Sequence, residues 1–352
     1  MAGFQAPGRD ELSGFWSERS VLVAGGAGFV GSYLVEELVR DGAQVAVADN
    51  LEAGSLDNLS AVVGQIRFLR GDLREPAFCD EATRNRQVVM NLAARAHGIG
   101  YAAGHQAELF TGNSLINLNL LEAARKNGVP RFLVVSSSCV YPDDAIAPTP
   151  ELPVFTGFPE HANEGYGWSK RLAELQARFY ATEYGMEIAI VRAFNAYGAR
   201  CRWHDQSSHV IPSLVRKAMR GDDPVVVWGS GEQRRNFLHA RDFAWGMKLL
   251  TERHATAEPV NLGLEETVSM KELACAILRA SGREGCRIEF DRTKPEGRAV
   301  KSADSRKLRA IAPEFRSRVS LEQGIKEVVE WFRRSFGDTR RQPHAATDGR
   351  TD

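Results

Sequence analysis

The chain has 352 residues, 43% of them hydrophobic, with 45 basic and 45 acidic side chains and a formal charge of zero. A length of this order suits one large domain or two unequal ones. The charge balance argues against nucleic acid as the main partner, since neutralising phosphates takes a basic surplus, and no run of 18 apolar residues offers a membrane span.

From the N-terminus, residues 1–18 read as a polar lead. Arg9, Asp10, Glu11 and Glu18 stand where a secretory leader needs an apolar stretch, so the expected location is the cytoplasm. Val21-Leu22-Val23-Ala24 is a short apolar strand, Tyr33–Arg40 a helix closed by Asp41-Gly42, and Val45–Ala48 a second strand. Ile66–Leu69 and Val88–Asn91 read as two more. Asn113–Lys126 is an amphipathic helix ended by Gly128-Val129-Pro130, and Phe132–Val135 is the next strand. Short apolar runs alternating with helices predict βαβ units and a parallel sheet covered on both faces.

A long helix follows Tyr166, with Trp168, Leu172, Leu175 and Phe179 at helical spacing as core or interface residues. After about Tyr197 the rhythm loosens. The strand Val225–Trp228 and helices near Ser269–Ala280 and Leu321–Arg334 predict a smaller unit. The expected organisation is an NAD-binding domain over 19–197 that also receives later chain, an interleaved substrate domain mainly over 198–336, and a disordered tail over 337–352.

Between the first strand and the first helix runs Gly25-Gly26-Ala27-Gly28-Phe29-Val30-Gly31. Glycines there allow a tight turn, close approach of a pyrophosphate and close helix–strand packing, and the helix start offers free N–H groups to phosphate. Asp49, with Asn50, closes the second strand about twenty residues on, where a carboxylate accepts ribose hydroxyls and repels a 2′-phosphate. That favours NAD over NADP. Asp72-Leu73 follows the next strand and Leu92-Ala93-Ala94 the one after, along the same carboxyl edge. Each of these is compatible with ordinary turn chemistry when taken alone.

Tyr166 and Lys170 lie four apart on one helical face. By itself such a pair marks a solvated face. An ammonium and a positive nicotinamide ring beside it would favour the phenolate and make Tyr166 a base near neutrality. Ser136-Ser137-Ser138-Cys139, at the end of an earlier strand, adds hydroxyls and a thiol. The other cysteines, Cys79, Cys201, Cys275 and Cys286, form no Cys-x-x-Cys pair, so neither a metal site nor a disulfide framework is expected.

The glycine turn, Ser137 and the Tyr166/Lys170 pair resemble the extended short-chain dehydrogenase/reductase superfamily, in its sugar-nucleotide epimerase and dehydratase branch, over roughly Val21 to Arg334. Ser137-Ser138-Cys139-Val140-Tyr141-Pro142, Ser208-His209-Val210-Ile211-Pro212 and Val225-Val226-Val227-Trp228-Gly229-Ser230-Gly231 resemble GDP-L-fucose synthases. The Cys139 stretch, the region Asn91–Arg131 and Pro259–Gly263 resemble GDP-mannose 3,5-epimerases. Both resemblances imply a Rossmann-type fold and a homodimer joined through the Asn113–Lys126 and Trp168–Tyr184 helices.

They also imply site roles. Cys139 and His209 would be acid/base groups on opposite faces of the sugar, with Tyr166, Lys170 and Ser137 acting at C4. Asn195 would hold the substrate, and His97 and Gly98 would line its pocket. Lys217 and Arg235 would bind the diphosphate. Trp228, Gln233, Arg298 and Lys301 would complete the substrate site.

The two families differ in redox balance. A synthase reduces with NADPH, whereas a 3,5-epimerase borrows a hydride with NAD and returns it. Asp49 favours the second, and the expected function is GDP-mannose-type 3,5-epimerisation through a transient C4 ketone. The histidine at position 209 favours the first, because the plant-type epimerase carries a lysine there. Ser138-Cys139 stands where a 4,6-dehydratase would need an acidic pair. From another class, a non-catalytic NAD sensor remains as an alternative.

Overall fold

Val21, Leu22, Val23 and Ala24 are fully buried, as a strand with helices on both faces requires. The computed structural model describes residues 14–201, 203 and 208–337. Strand β1 (Ser20–Ala24) leads through the glycine turn into α1 (Phe29–Arg40), then β2 (Gln44–Asp49), β3 (Arg67–Arg70), α2 (Pro76–Thr83) and β4 (Val88–Asn91). Next come α3 (Ile99–Ala102), α4 (Gln106–Lys126), β5 (Arg131–Ser137), α5 (Glu164–Tyr184) and β6 (Glu187–Ala193). Beyond them lie β7 (Ala196–Tyr197), α6 (Val210–Arg220), β8 (Val225–Trp228), β9 (Arg234–Arg235), β10 (Leu238–His239) and α7 (Ala240–Arg253). The chain closes with β11 (Thr256–Leu262), β12 (Val268–Ser269), α8 (Met270–Ala280), β13 (Ile288–Asp291), β14 (Val300–Lys301), α9 (Arg306–Ile311) and α10 (Leu321–Phe336).

Seven strands form one parallel sheet in the order β11-β6-β5-β4-β1-β2-β3. This is the doubly wound α/β architecture expected from the sequence. The order reverses between β1 and β4, and the crevice outside their carboxyl ends is where such sheets take ligands. Apolar residues of α1 and α7 cover one face of the sheet, and those of α2, α4 and α5 the other. A third core, from α6, α8, α10 and β8, belongs to the smaller unit.

Three boundaries differ from expectation. Trp16 is fully buried in the α1/α7 core, so the chain is already packed within the expected lead, whose residues 1–13 lie outside the described residues. Helix α4 starts at Gln106, seven residues before Asn113, because Leu109 and Gly112 also face inward. Strand β11 adds to the edge of β6 with a register shift between Thr256 and Pro259. Of the expected tail, Gly337 caps α10 at positive φ, and 338–352 lie outside the described residues.

Candidate active site

The glycine turn is built for close approach. Gly25 has φ +74°, and a Cβ there would meet the Ala93 nitrogen at 2.7 Å; a Cβ on Gly31 would meet the Gly25 oxygen at 2.2 Å. Gly28 is the N-cap of α1 and gives no side-chain cap, and the first turn holds no acidic residue. The amides at Phe29, Val30 and Gly31 therefore face the crevice without an intrahelical acceptor, as an anion site needs. Leu92 donates to the Ala24 carbonyl at 2.9 Å, which keeps Leu92-Ala93-Ala94 against the turn.

Asp49 closes β2 and is nearly buried. Its carboxylate accepts from the Ala27 amide at 3.0 Å and the Leu51 amide at 2.9 Å. Burial pushes its pKa up, and the two amides only partly oppose this. Asn50 turns its side chain onto the Glu52 amide. Asp72 is clamped by Arg74, whose bonds hold the carboxyl below its ordinary pKa, and Leu73 is buried behind it. These residues fit a dinucleotide laid along the carboxyl edge, with pyrophosphate at the turn and a ribose at Asp49.

At the end of β5 four of the five expected catalytic groups, Ser137, Cys139, Tyr166 and Lys170, lie together, and His209 does not join them. Ser137 accepts from the Cys139 amide at 3.2 Å and starts the short helical turn Ser138–Val140. Tyr166 lies near enough to Ser137 for that hydroxyl to favour its phenolate. The Lys170 Nζ lies 5.4 Å from the Tyr166 ring centroid and donates to the Val135 carbonyl at 2.8 Å. Burial depresses Lys170 to about 8. Burial also raises the Tyr166 hydroxyl, Cys139 adds to this, and Ser137 opposes it. The ammonium expected to favour a phenolate does not overcome that desolvation.

Beside this group lies a charged cluster. Lys301 Nζ donates to Glu160 Oε2 at 2.7 Å, and Asn163 Nδ2 reaches the same oxygen at 3.1 Å. The Glu160 amide donates to the Cys139 carbonyl at 3.1 Å, and the Glu160 charge adds to the burial that raises the Cys139 thiol. Arg298 is buried, with Nη2 on the Ala145 carbonyl at 2.9 Å and with Nε and Nη1 unpaired. Arg235 donates to the Glu296 carbonyl at 2.7 Å, and burial lowers its pKa while the Glu160 charge raises it. The structure thus brings Cys139, Arg235, Arg298 and Lys301 together.

Other expected residues are placed differently. His209 is the exposed N-cap of α6, outside the buried cluster. Lys217 donates to the Val226 carbonyl at 2.6 Å, and burial lowers its pKa, so its ammonium is engaged with β8. Gln233 holds the Trp228 carbonyl at 2.9 Å. Asn195 donates to Asn236 at 3.1 Å. His97 stacks on Tyr101 at 4.3 Å, and Gly98 caps α3.

Sequence reasoning did not single out Glu160 or the groups that fix the Cys139 turn. Arg171, next to Lys170, sends its guanidinium to the carbonyls of Val140, Thr156 and Gly157. Glu174 pairs with Arg192 at 2.6 Å and accepts from Ser136, all three buried under the end of β5. Glu160 lies six residues before Tyr166, and Arg171 and Glu174 lie one and four residues after Lys170, so all three flank the recognised motif without belonging to it.

A profile of the NAD dependent epimerase/dehydratase family matches residues 21–263. The chain belongs to that family. Among curated relatives, a putative GDP-L-fucose synthase 2 of Oryza sativa subsp. japonica is 36% identical over 70% of this chain and 72% of its own length. GDP-L-fucose synthase 1 of Arabidopsis thaliana is 30% identical over 89% of this chain and 92% of its own. Among solved structures, UDP-glucose 4-epimerase of Thermotoga maritima with UDP-glucose superposes with TM-score 0.79 at 26% identity, covering 90% of this chain and 99% of that one. The Thermus thermophilus UDP-glucose 4-epimerase with NAD gives TM-score 0.76 at 28% identity, with coverages of 90% and 99%. Family membership makes this an NAD-dependent enzyme and sets aside the sensor alternative. No described helix is long and apolar enough to cross a membrane.

Proposed function

We propose that the protein is a nucleotide-sugar epimerase that inverts ring carbons beside a transient C4 ketone, with a GDP-linked hexose as substrate. The observation that carries this reading is a thiol, Cys139, in the turn that Ser137 starts at the end of β5, within electrostatic reach of Tyr166 and Lys170 on α5. Exchange at C4 needs only the hydroxyls and the lysine. A thiol beside them serves a carbon next to the ketone, whose C–H bonds the ketone acidifies.

Tyr166 takes the C4 hydroxyl proton, Ser137 orients it by hydrogen bond, and Lys170 holds the local charge. NAD, when bound, supplies a hydride acceptor at C4 that returns what it takes, and a positive ring that draws Tyr166 toward phenolate. Cys139 serves one face of the sugar, and His209, at the mouth of α6, serves the other. Arg235 and Arg298 bind the diphosphate, and the unpaired nitrogens of Arg298 give it donors to spare. The enzyme works in the cytoplasm as a homodimer joined through α4 and α5. Phe110, Leu115, Leu118 and Phe179 are exposed there, beside a groove of about 670 Å³ lined by Trp168 and Leu172.

A second reading is a 3,5-epimerase/4-reductase acting on GDP-4-keto-6-deoxymannose. The curated relatives named GDP-L-fucose synthase favour it. Asp49 favours the redox-neutral cycle. Incubation in D₂O with GDP-mannose, and separately with GDP-4-keto-6-deoxymannose, distinguishes the two. Deuterium at C3 or C5 of GDP-mannose without added NADPH supports the first reading. Stoichiometric NADPH consumption with the keto sugar supports the second. No incorporation across a panel of GDP-sugars overturns both. Cys139→Ser should abolish exchange at carbon and keep NAD; loss of the cofactor instead would make Cys139 structural.

A further inference from the structure

Arg95 and Glu52 meet across the cofactor crevice. Arg95 follows Leu92-Ala93-Ala94 beyond the end of β4, and Glu52 lies in the turn after β2. Arg95 Nη2 and Glu52 Oε1 are 3.0 Å apart. In the sheet β1 lies between β4 and β2, so the glycine turn stands between the two strands that carry this pair. The ion pair therefore spans the crevice outside β1. The same two banks line a cavity of about 1240 Å³, with Glu52, Gly54 and Ser55 from one and His97 and Tyr101 from the other.

Both partners are held in place. Arg95 has its amide and its carbonyl bonded to the Asn113 side chain, at 2.8 and 3.2 Å. Its Nη2 also pairs with Glu108 Oε1 at 2.6 Å, and the Tyr101 hydroxyl donates to the other Glu108 oxygen at 3.0 Å. Arg95 Nε is buried and has no acceptor among the described residues, so the two carboxylates hold the guanidinium. On the other bank Leu51 has φ +62°, a left-handed conformation that a leucine keeps only when its surroundings impose it. Asp49 accepts the Leu51 amide at 2.9 Å, and Asn50 accepts the Glu52 amide at 2.9 Å. This strained turn points Glu52 at Arg95. Arg74, the other cation near Glu52, stands off at 3.9 Å.

We propose that the Arg95–Glu52 pair is a gate on the cofactor crevice, one that must open for a dinucleotide to enter or leave. Glu108 keeps the guanidinium ordered while the gate is open. The proposal rests on the dinucleotide site and does not depend on which sugar is turned over. A gate differs from a ligand in its kinetic effect. A residue that binds the cofactor slows its escape and so lowers the dissociation constant. A gate slows entry and escape together and leaves the dissociation constant almost unchanged. Slow exchange suits the redox-neutral cycle proposed above, in which no turnover requires the cofactor to leave.

The test reads cofactor exchange in the full-length protein, with NADH as the probe because its fluorescence changes on binding. Stopped-flow mixing gives the association rate constant, and displacement by excess NAD gives the dissociation rate constant. Glu52→Gln and Arg95→Met should each raise both constants about fivefold and move the dissociation constant by less than about twofold. A factor of five corresponds to about 1 kcal/mol, the upper end for a part-exposed ion pair. The double variant should be no faster than either single one, since both changes break the same contact. Faster dissociation with association unchanged or slower would make these residues cofactor ligands or structural supports, and overturns the gate. Unchanged rates in both variants overturn it too, as does acceleration that adds in the double variant. A parent protein that binds no NADH would overturn the cofactor site itself, so that failure is told apart from failure of the gate.

Discussion

Asn91 Nδ2 donates to Asn117 Oδ1 at 2.9 Å, which ties the end of β4 to the middle of α4. One turn earlier, Asn113 accepts the Arg95 amide at 2.8 Å and donates to the carbonyls of Leu109 and Arg95. The asparagines of α4 thus carry the backbone of the Leu92–Arg95 segment. Asn113→Ala removes the acceptor of the part-buried Arg95 amide and a donor to the Arg95 carbonyl, at a cost of about 1–3 kcal/mol. Urea unfolding should show that loss, and dialysed protein should retain less NAD. Unchanged stability would refute the assigned role.

Lys170 carries a stability penalty with a definite pH signature. Its folded value of about 8 lies below the ordinary lysine value of 10.5, so the folded protein holds this proton less tightly than the unfolded chain. The penalty is complete below pH 8 and vanishes as pH rises from 8 to 10.5. Lys170→Met should therefore be more stable than the parent at neutral pH by a few kcal/mol at most, and the gap should close toward pH 10. Thermal melts of both proteins across that range check it. A gap that widens with pH would contradict the assignment.

In the proposed cofactor site the Asp49 carboxylate, at the end of β2, accepts the ribose hydroxyls and repels a 2′-phosphate. Asp49→Asn retains an acceptor for the Ala27 or Leu51 amide and removes the charge. The ratio of NAD to NADP affinity, measured by calorimetry, should fall by about tenfold or more, equivalent to about 1.4 kcal/mol. A ratio that stays constant would locate the discrimination elsewhere.

Phe179 is 63% exposed on α5, on the face assigned to the dimer. Phe179→Glu should shift sedimentation from dimer toward monomer and leave far-UV dichroism unchanged. A monomeric parent protein would refute the interface.

Much of the cofactor half could be read in the residues. Gly25, Gly28 and Gly31 sit where only a tight strand–helix turn makes use of their spacing, and Asp49 follows at the distance one βαβ step sets. Cys139, Tyr166 and Lys170 stood out because each lies in a long recognisable string. What was hidden is long-range or conditional. Glu160 and Lys301 meet across 141 positions, which no local pattern reports. Strand β11 is obscured by Glu258-Pro259, tolerated because it is a sheet edge. Strand β6 is obscured by Arg192, acceptable in a buried strand only because Glu174 pairs with it. Trp16 was concealed by the charged residues near it, Glu18 and Arg19 among them.

The late arrival of β11 has a consequence during synthesis. When a ribosome has made residues up to Ala193, six strands of the large sheet exist, but β6 still presents an open edge. That edge stays unpaired until some seventy further residues have emerged, including α6, β8 and α7. For that interval the nascent chain displays an apolar strand able to pair with a neighbour on the same polysome. A chaperone that shields this edge, or slow crowding of ribosomes on the message, would then govern how much soluble enzyme a cell recovers.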